Sequence, residues 1–146
     1  MEGTKIEIIG LDTRYFRSKL IKLKNVYTKN NNPKATILGQ DQWLWLESSL
    51  SSSNADAIII LSSIQILATN HPYEKWDNFP LERKRLLEII ARASKEKTII
   101  AVTGDRHKSG IYQNENFLEI TASSLNKSAS KGKETDPLLI GKIYMN

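Results

Sequence analysis

The sequence predicts an α/β fold in which helices flank a largely parallel stretch of sheet. Two short runs rich in β-branched residues, Ala57-Ile58-Ile59-Ile60-Leu61 and Thr98-Ile99-Ile100-Ala101-Val102, lack polar alternation. Runs of that kind suit central strands covered on both faces. Each is preceded by a segment of helical periodicity, and strands separated by helices favour layered sheets with parallel pairing.

Taken in order, Lys5-Ile6-Glu7-Ile8-Ile9-Gly10-Leu11 alternates and then turns fully apolar, as a strand entering a core does, and it ends at the polar turn Asp12-Thr13-Arg14. Residues 18–36 are rich in lysine and asparagine, with Asn30-Asn31-Asn32-Pro33 as a breaker, and read as a surface excursion with a short helical turn. From Gly39 the spacing of Trp43, Leu46 and Leu50, widened by Leu44 and Trp45, predicts a helix that the Ser51-Ser52-Ser53-Asn54 cluster ends. Residues 69–80 form a polar, aromatic loop, and Pro80 suits the first turn of a helix running through Leu81, Leu86, Leu87, Ile89 and Ile90. Phe117–Thr121 is a last strand, and residues 123–136, rich in Ser, Lys and Gly, are expected to be mobile. One domain over 1–146 accounts for the whole pattern.

Composition narrows the chemistry. A chain of 146 residues is long enough for one real core. It has no cysteine, so any metal must be held by oxygen or imidazole. The net charge of +5 is spread along the chain rather than set in a stripe with interleaved aromatics, so nucleic acid is not an expected partner. The longest apolar run, ending at Leu61, is far too short to span a bilayer, and the N-terminus lacks a secretory pattern. The expectation is a soluble chain with no membrane partner, its compartment left open.

In α/β folds ligands gather at the carboxyl ends of strands. Three polar clusters stand at such ends: Asp12 to Arg14, Ser62 to Gln65, and Asp105 to His107. In Gly104-Asp105-Arg106-His107 the carboxylate and the imidazole are two apart, so an extended backbone would point both the same way, toward one metal centre. Arg106 would join phosphate binding if its side chain turns toward that site. The same tetrapeptide also describes a solvated turn after a strand. Arg14 can clamp phosphate with paired hydrogen bonds, with Asp12 orienting it or a ligand, although taken alone the segment fits a structural Asp–Arg pair better. Ser62, Ser63 and Gln65 either bond substrate or satisfy backbone groups at the strand end. His71 reads as loop-packing or rim material, Trp76 as a residue lining the mouth of the site, and Trp43 and Trp45 as core or interface.

Several strings, in this order and spacing, resemble the C-terminal half of PhoD-like (alkaline phosphatase D) metallophosphatases. They are Leu11–Arg17, Ile37–Leu46, Leu61–Leu67, His71–Pro80, Glu82–Leu87 and Gly104–His107, continuing through Glu119–Leu125. The resemblance implies a metallophosphoesterase-like layered sandwich of mixed sheets flanked by helices, of which this chain is half. It implies hydrolysis of phosphate mono- or diesters with divalent or trivalent metal ions: iron, calcium, zinc or manganese. Asp105 and His107 match the family's last metal-ligand motif. Arg14, Gln65 and Arg106 are carried over as candidate catalytic residues, and Asp12, Arg17 and Trp76 as substrate-binding ones. The superfamily's first ligand segments would precede residue 1. The expectation is therefore a site incomplete in this chain, completed by a homo-oligomer or by a missing N-terminal half. The alternative is a non-catalytic remnant serving as a binding or oligomerisation module.

Overall fold

The computed structural model describes residues 3–123, 128 and 135–141. Its elements are β1 (Ile6–Leu11), β2 (Ile21–Leu23), β3 (Val26–Thr28), α1 (Gly39–Ser52), β4 (Ala57–Ser62), a 3-10 turn (Trp76–Asn78) and α2 (Pro80–Ala93). They continue with β5 (Thr98–Thr103), β6 (Ser109–Asn114), β7 (Phe117–Ala122) and β8 (Leu139–Gly141). Six strands form one mixed sheet in the order β1-β4-β5-β7-β6-β8, and β2 and β3 form a separate hairpin.

β1, β4, β5 and β7 run parallel, and β6 is antiparallel to β7. β1, β4 and β5 are laid down in one direction across the sheet, and crossovers between parallel strands are right-handed. Both crossover helices therefore fall on the same face. Burial agrees: Ile9, Leu11, Ile58, Ile60, Ile99 and Ala101 share one core cluster with Trp43, Leu46 and Leu50 of α1 and Leu86, Ile89 and Ile90 of α2. Burying each of these aliphatic side chains contributes about 1.5–3 kcal/mol.

The alternate residues face the other way, and among the described residues no helix covers them. Ile6 and Ile8 are 60% and 63% exposed and Leu61 is 41% exposed, while Ile59, Ile100, Leu118 and Ile120 are only partly buried. The expectation of strands covered on both faces is corrected by this one-sided packing.

Helix boundaries follow local chemistry. Gly39 opens α1 with φ at +73°, and a Cβ there would meet the Phe16 Cβ at 3.1 Å, so a residue without a side chain is required. Its N–H is capped by the Thr36 hydroxyl at 2.9 Å. Pro80 opens α2, where its missing N–H costs nothing. Between the helices, one oxygen of Glu82 accepts from the Ile37 N–H, the Thr36 hydroxyl and the Trp43 indole, each at 2.8 Å.

Two expectations change here. The 18–36 excursion carries the β2–β3 hairpin rather than a helical turn. β6 and β8 add two strands to the sheet. The expected mobility of 123–136 falls mostly outside the described residues; Asp136 at its end is buried, accepting from the backbone N–H of Thr69 at 2.5 Å and Asn70 at 2.8 Å. Among the described residues no helix is long and apolar enough to cross a membrane.

Candidate active site

Leu11, Ser62, Thr103 and Thr121 lie in register across β1, β4, β5 and β7. The turns that follow these strands therefore open side by side at one end of the sheet. Beneath them lies a polar layer. Glu119 is fully buried and accepts from the backbone N–H of Ile66 (3.1 Å) and Leu67 (2.5 Å) and from the Thr103 hydroxyl (2.6 Å). Burial raises its pKa, opposed by those hydrogen bonds. Gln65, 1% exposed, donates to the Thr121 hydroxyl at 2.9 Å. This layer fixes segment 62–67 and the end of β5.

The first turn is built by Asp12. Its Oδ1 accepts from the backbone N–H of Arg14 (2.8 Å) and Tyr15 (2.9 Å), and these bonds lower its pKa. The Gln42 side chain holds both the N–H and the C=O of Asp12, at 2.8 and 2.9 Å. Thr13 and Ser63 join the β1 and β4 turns through a hydroxyl pair at 2.5 Å. Asp12 thus shapes the loop that presents Arg14.

Arg14 reaches two carboxylates: Glu74 at 2.5 Å and Asp105 at 3.7 Å. Glu74 also pairs with Arg17, whose pKa is lowered by burial and by the like charge of Arg14. Glu74 owes its place to a rigid loop. Lys75, buried, donates to the carbonyls of His71 (2.6 Å) and Tyr73 (3.2 Å), and the Trp76 N–H bonds the Gln65 carbonyl at 2.9 Å.

The third turn, residues 104–108, has an unusual task. β7 fills the slot between β5 and β6, so the chain must arch over the end of β7 across two strand spacings of about 4.8 Å each. It does so with Asp105 at φ 68° and His107 at φ 51°, both left-handed and neither a glycine. The His107 N–H is fixed by the Ser123 hydroxyl at 2.8 Å, at the end of β7. The expected extended backbone at Asp105–His107 is therefore replaced by a strained arch. Left-handed conformations at non-glycine residues cost of order 1 kcal/mol each and gather at functional sites.

The structure brings Arg14, Arg17 and Asp105 into one charged cluster around Glu74, with Asp12 holding the backbone of the Arg14 turn and His107 on the adjoining arch. It does not bring Trp76 there. That ring is fully buried against Trp43, centroids 6.3 Å apart, and donates to the Ser62 hydroxyl at 3.1 Å. The mouth-lining expectation for Trp76 is corrected, because packing on α1 draws it inward. Gln65 and Arg106 are likewise buried beneath the surface, Arg106 with its guanidinium 4.8 Å from the Tyr73 ring centre. His71 sits in this loop as a neutral imidazole: its Nδ1 accepts from the Tyr73 N–H at 3.2 Å, and burial together with Arg106 and Lys75 pushes its pKa down to about 3. Glu74 and Gln42 were not legible as site residues, since their partners lie 60 and 30 positions away.

A metal requires more donors than the described residues gather. Among the described residues no group of three or more His, Cys, Asp or Glu side chains is placed to hold an ion. Asp105 and His107 alone do not make a cage.

The fold is a mixed-sheet α/β layer with charged turns at its parallel strand ends, and comparison with known proteins gives the family. The PhoD-like phosphatase family model matches residues 2–141, and the chain belongs to that family. It is 28% identical over 110 residues to alkaline phosphatase D of Bacillus subtilis (strain 168), a match covering 68% of this chain and 19% of that protein. A solved structure of PhoD superposes with a TM-score of 0.63 at 25% identity, covering 82% of this chain and 27% of the other. The chain thus spans well under a third of the relatives it matches.

Proposed function

We propose that this chain supplies one side of a metal-dependent site that hydrolyses phosphate mono- or diesters. The observation that carries the proposal is the placement of the Arg14 guanidinium 3.7 Å from the Asp105 carboxylate, where the parallel strands end. Arg14 is the anion clamp: its planar fork matches two phosphoryl oxygens, and it stabilises the charge that grows on them as the ester bond breaks. Arg17 adds positive potential beside it. Asp105 and His107 are two ligands of a cage whose remaining donors lie beyond the described residues or on a second copy of this chain. Asp12, Gln65 and Arg106 act from behind, holding the turns that present these groups.

The sheet face left open among the described residues supports completion by further protein. Ile6, Ile8 and Leu61 stand on the side where a second sheet of a layered sandwich would pack. Either the rest of a longer relative or a second copy of this chain can supply it.

Elemental analysis of the purified chain, beside assays on chromogenic phosphate mono- and diesters, tests the proposal. The expected result is stoichiometric metal and turnover, both lost in Asp105→Ala and His107→Ala. A folded, metal-free and inactive chain would instead favour a binding or oligomerisation module, a reading that the absence of a three-donor cluster among the described residues supports.

A further inference from the structure

We infer that Glu74 is the positioning residue of the arginine clamp, a role that rests on the assignment of Arg14 to phosphate binding. Two guanidinium groups three residues apart in one loop repel each other. Here they converge, because one carboxylate takes both: Arg14 on Oε2 and Arg17 on Oε1. The Glu74 side chain is 13% exposed and that of Arg14 is 46% exposed. The carboxylate therefore lies behind the guanidinium, on the protein side, and leaves the outer face of Arg14 to solvent and to an incoming anion.

Glu74 is itself held firmly. The next residue, Lys75, is buried and fastened to two carbonyls of the same loop, and Trp76 anchors that loop to the Gln65 carbonyl and the Ser62 hydroxyl. The Asp12 turn fixes the Arg14 backbone from the opposite side. A phosphate bound by Arg14 beside the charge of Arg17 thus meets a donor already aimed, and less side-chain freedom is lost on binding.

This role makes a prediction opposite in sign to simple electrostatics. Removing Glu74 makes the site one charge more positive, which by itself would attract phosphate more strongly. Loss of aim acts the other way.

The test is titration of the full chain with inorganic phosphate by calorimetry, for wild type, Arg14→Ala, Glu74→Ala, Glu74→Gln and Glu74→Asp. Circular dichroism melts accompany each protein to show that it folds. The expected result is Arg14-dependent binding in wild type, weakened roughly tenfold in Glu74→Ala and equally in Glu74→Gln, with partial recovery in Glu74→Asp. A merely structural carboxylate would be replaced well by the isosteric glutamine. Unchanged or tighter binding in folded Glu74→Ala overturns the positioning role while leaving the clamp intact. If wild type shows no phosphate binding that Arg14→Ala removes, the clamp assignment fails and takes the positioning role with it.

Discussion

Replacing Glu119 by alanine isolates what holds the floor of the site. The substitution removes the acceptor of two buried backbone N–H groups, those of Ile66 and Leu67. The Thr103 hydroxyl keeps a second partner in Thr121 at 2.9 Å. Each stranded backbone donor costs about 1–3 kcal/mol, so the two together cost roughly 4 kcal/mol before any cavity is counted. That is a large share of the about 5–15 kcal/mol that holds a domain together. Urea unfolding followed by circular dichroism reads it as a lower midpoint at unchanged slope. Glu119→Gln keeps the shape and one acceptor oxygen and should lose about half as much. The comparison has a pH signature. Burial raises the Glu119 pKa above its ordinary 4.5. Between that value and the folded one the native state holds a proton that the unfolded state has released. The wild-type margin over Glu119→Gln is therefore full below about pH 4.5 and shrinks as pH rises through the folded pKa. A loss under about 1 kcal/mol in Glu119→Ala, or a margin that widens with pH, refutes the reasoning.

Asp105→Gly should raise the melting temperature slightly or leave it unchanged, because the φ of 68° suits glycine. It should still abolish phosphate-ester turnover wherever wild type shows any, and differential scanning calorimetry beside the ester assay checks both. His71 should titrate by NMR with a midpoint of about 3, as burial beside Arg106 and Lys75 demands. Its folded pKa lies below the ordinary 6.5, so its contribution to stability is present above pH 6.5 and is lost as pH falls toward 3. His71→Gln should show a shallower acid dependence in urea melts.

The central strands and both helices were legible because their signals are local: isoleucine runs at 58–60 and 99–100, the Trp43–Leu46–Leu50 spacing, and Pro80 at a helix start. The β2–β3 hairpin was not, because its strands are three residues each and largely exposed, too short for the alternation in Ile21-Lys22-Leu23 to stand out. β6 was missed for a related reason. Its sequence Ser-Gly-Ile-Tyr-Gln-Asn is polar, and it becomes a strand through pairing with β7. Within the site, Arg14 and Asp105 were legible as strand-end charges. Their meeting, and the share of Glu74 in it, depends on a sheet register that brings together positions 60 and 91 residues apart. Trp76 was misread because an aromatic in a polar loop reads as a rim residue until the helix it packs on is placed.

The edge strand β1 has a consequence for handling the protein. Its outer backbone N–H and C=O groups have no neighbouring strand among the described residues, and Ile6 and Ile8 stand exposed along it. Such an edge is a template for strand addition, and only Lys5 and Glu7 supply charge to discourage it. Preparations at high concentration or in sulfate salts, which strengthen apolar association, will be governed by this strip. A lysine in place of Ile8 would guard it, at the cost of a charge on the sheet face left open.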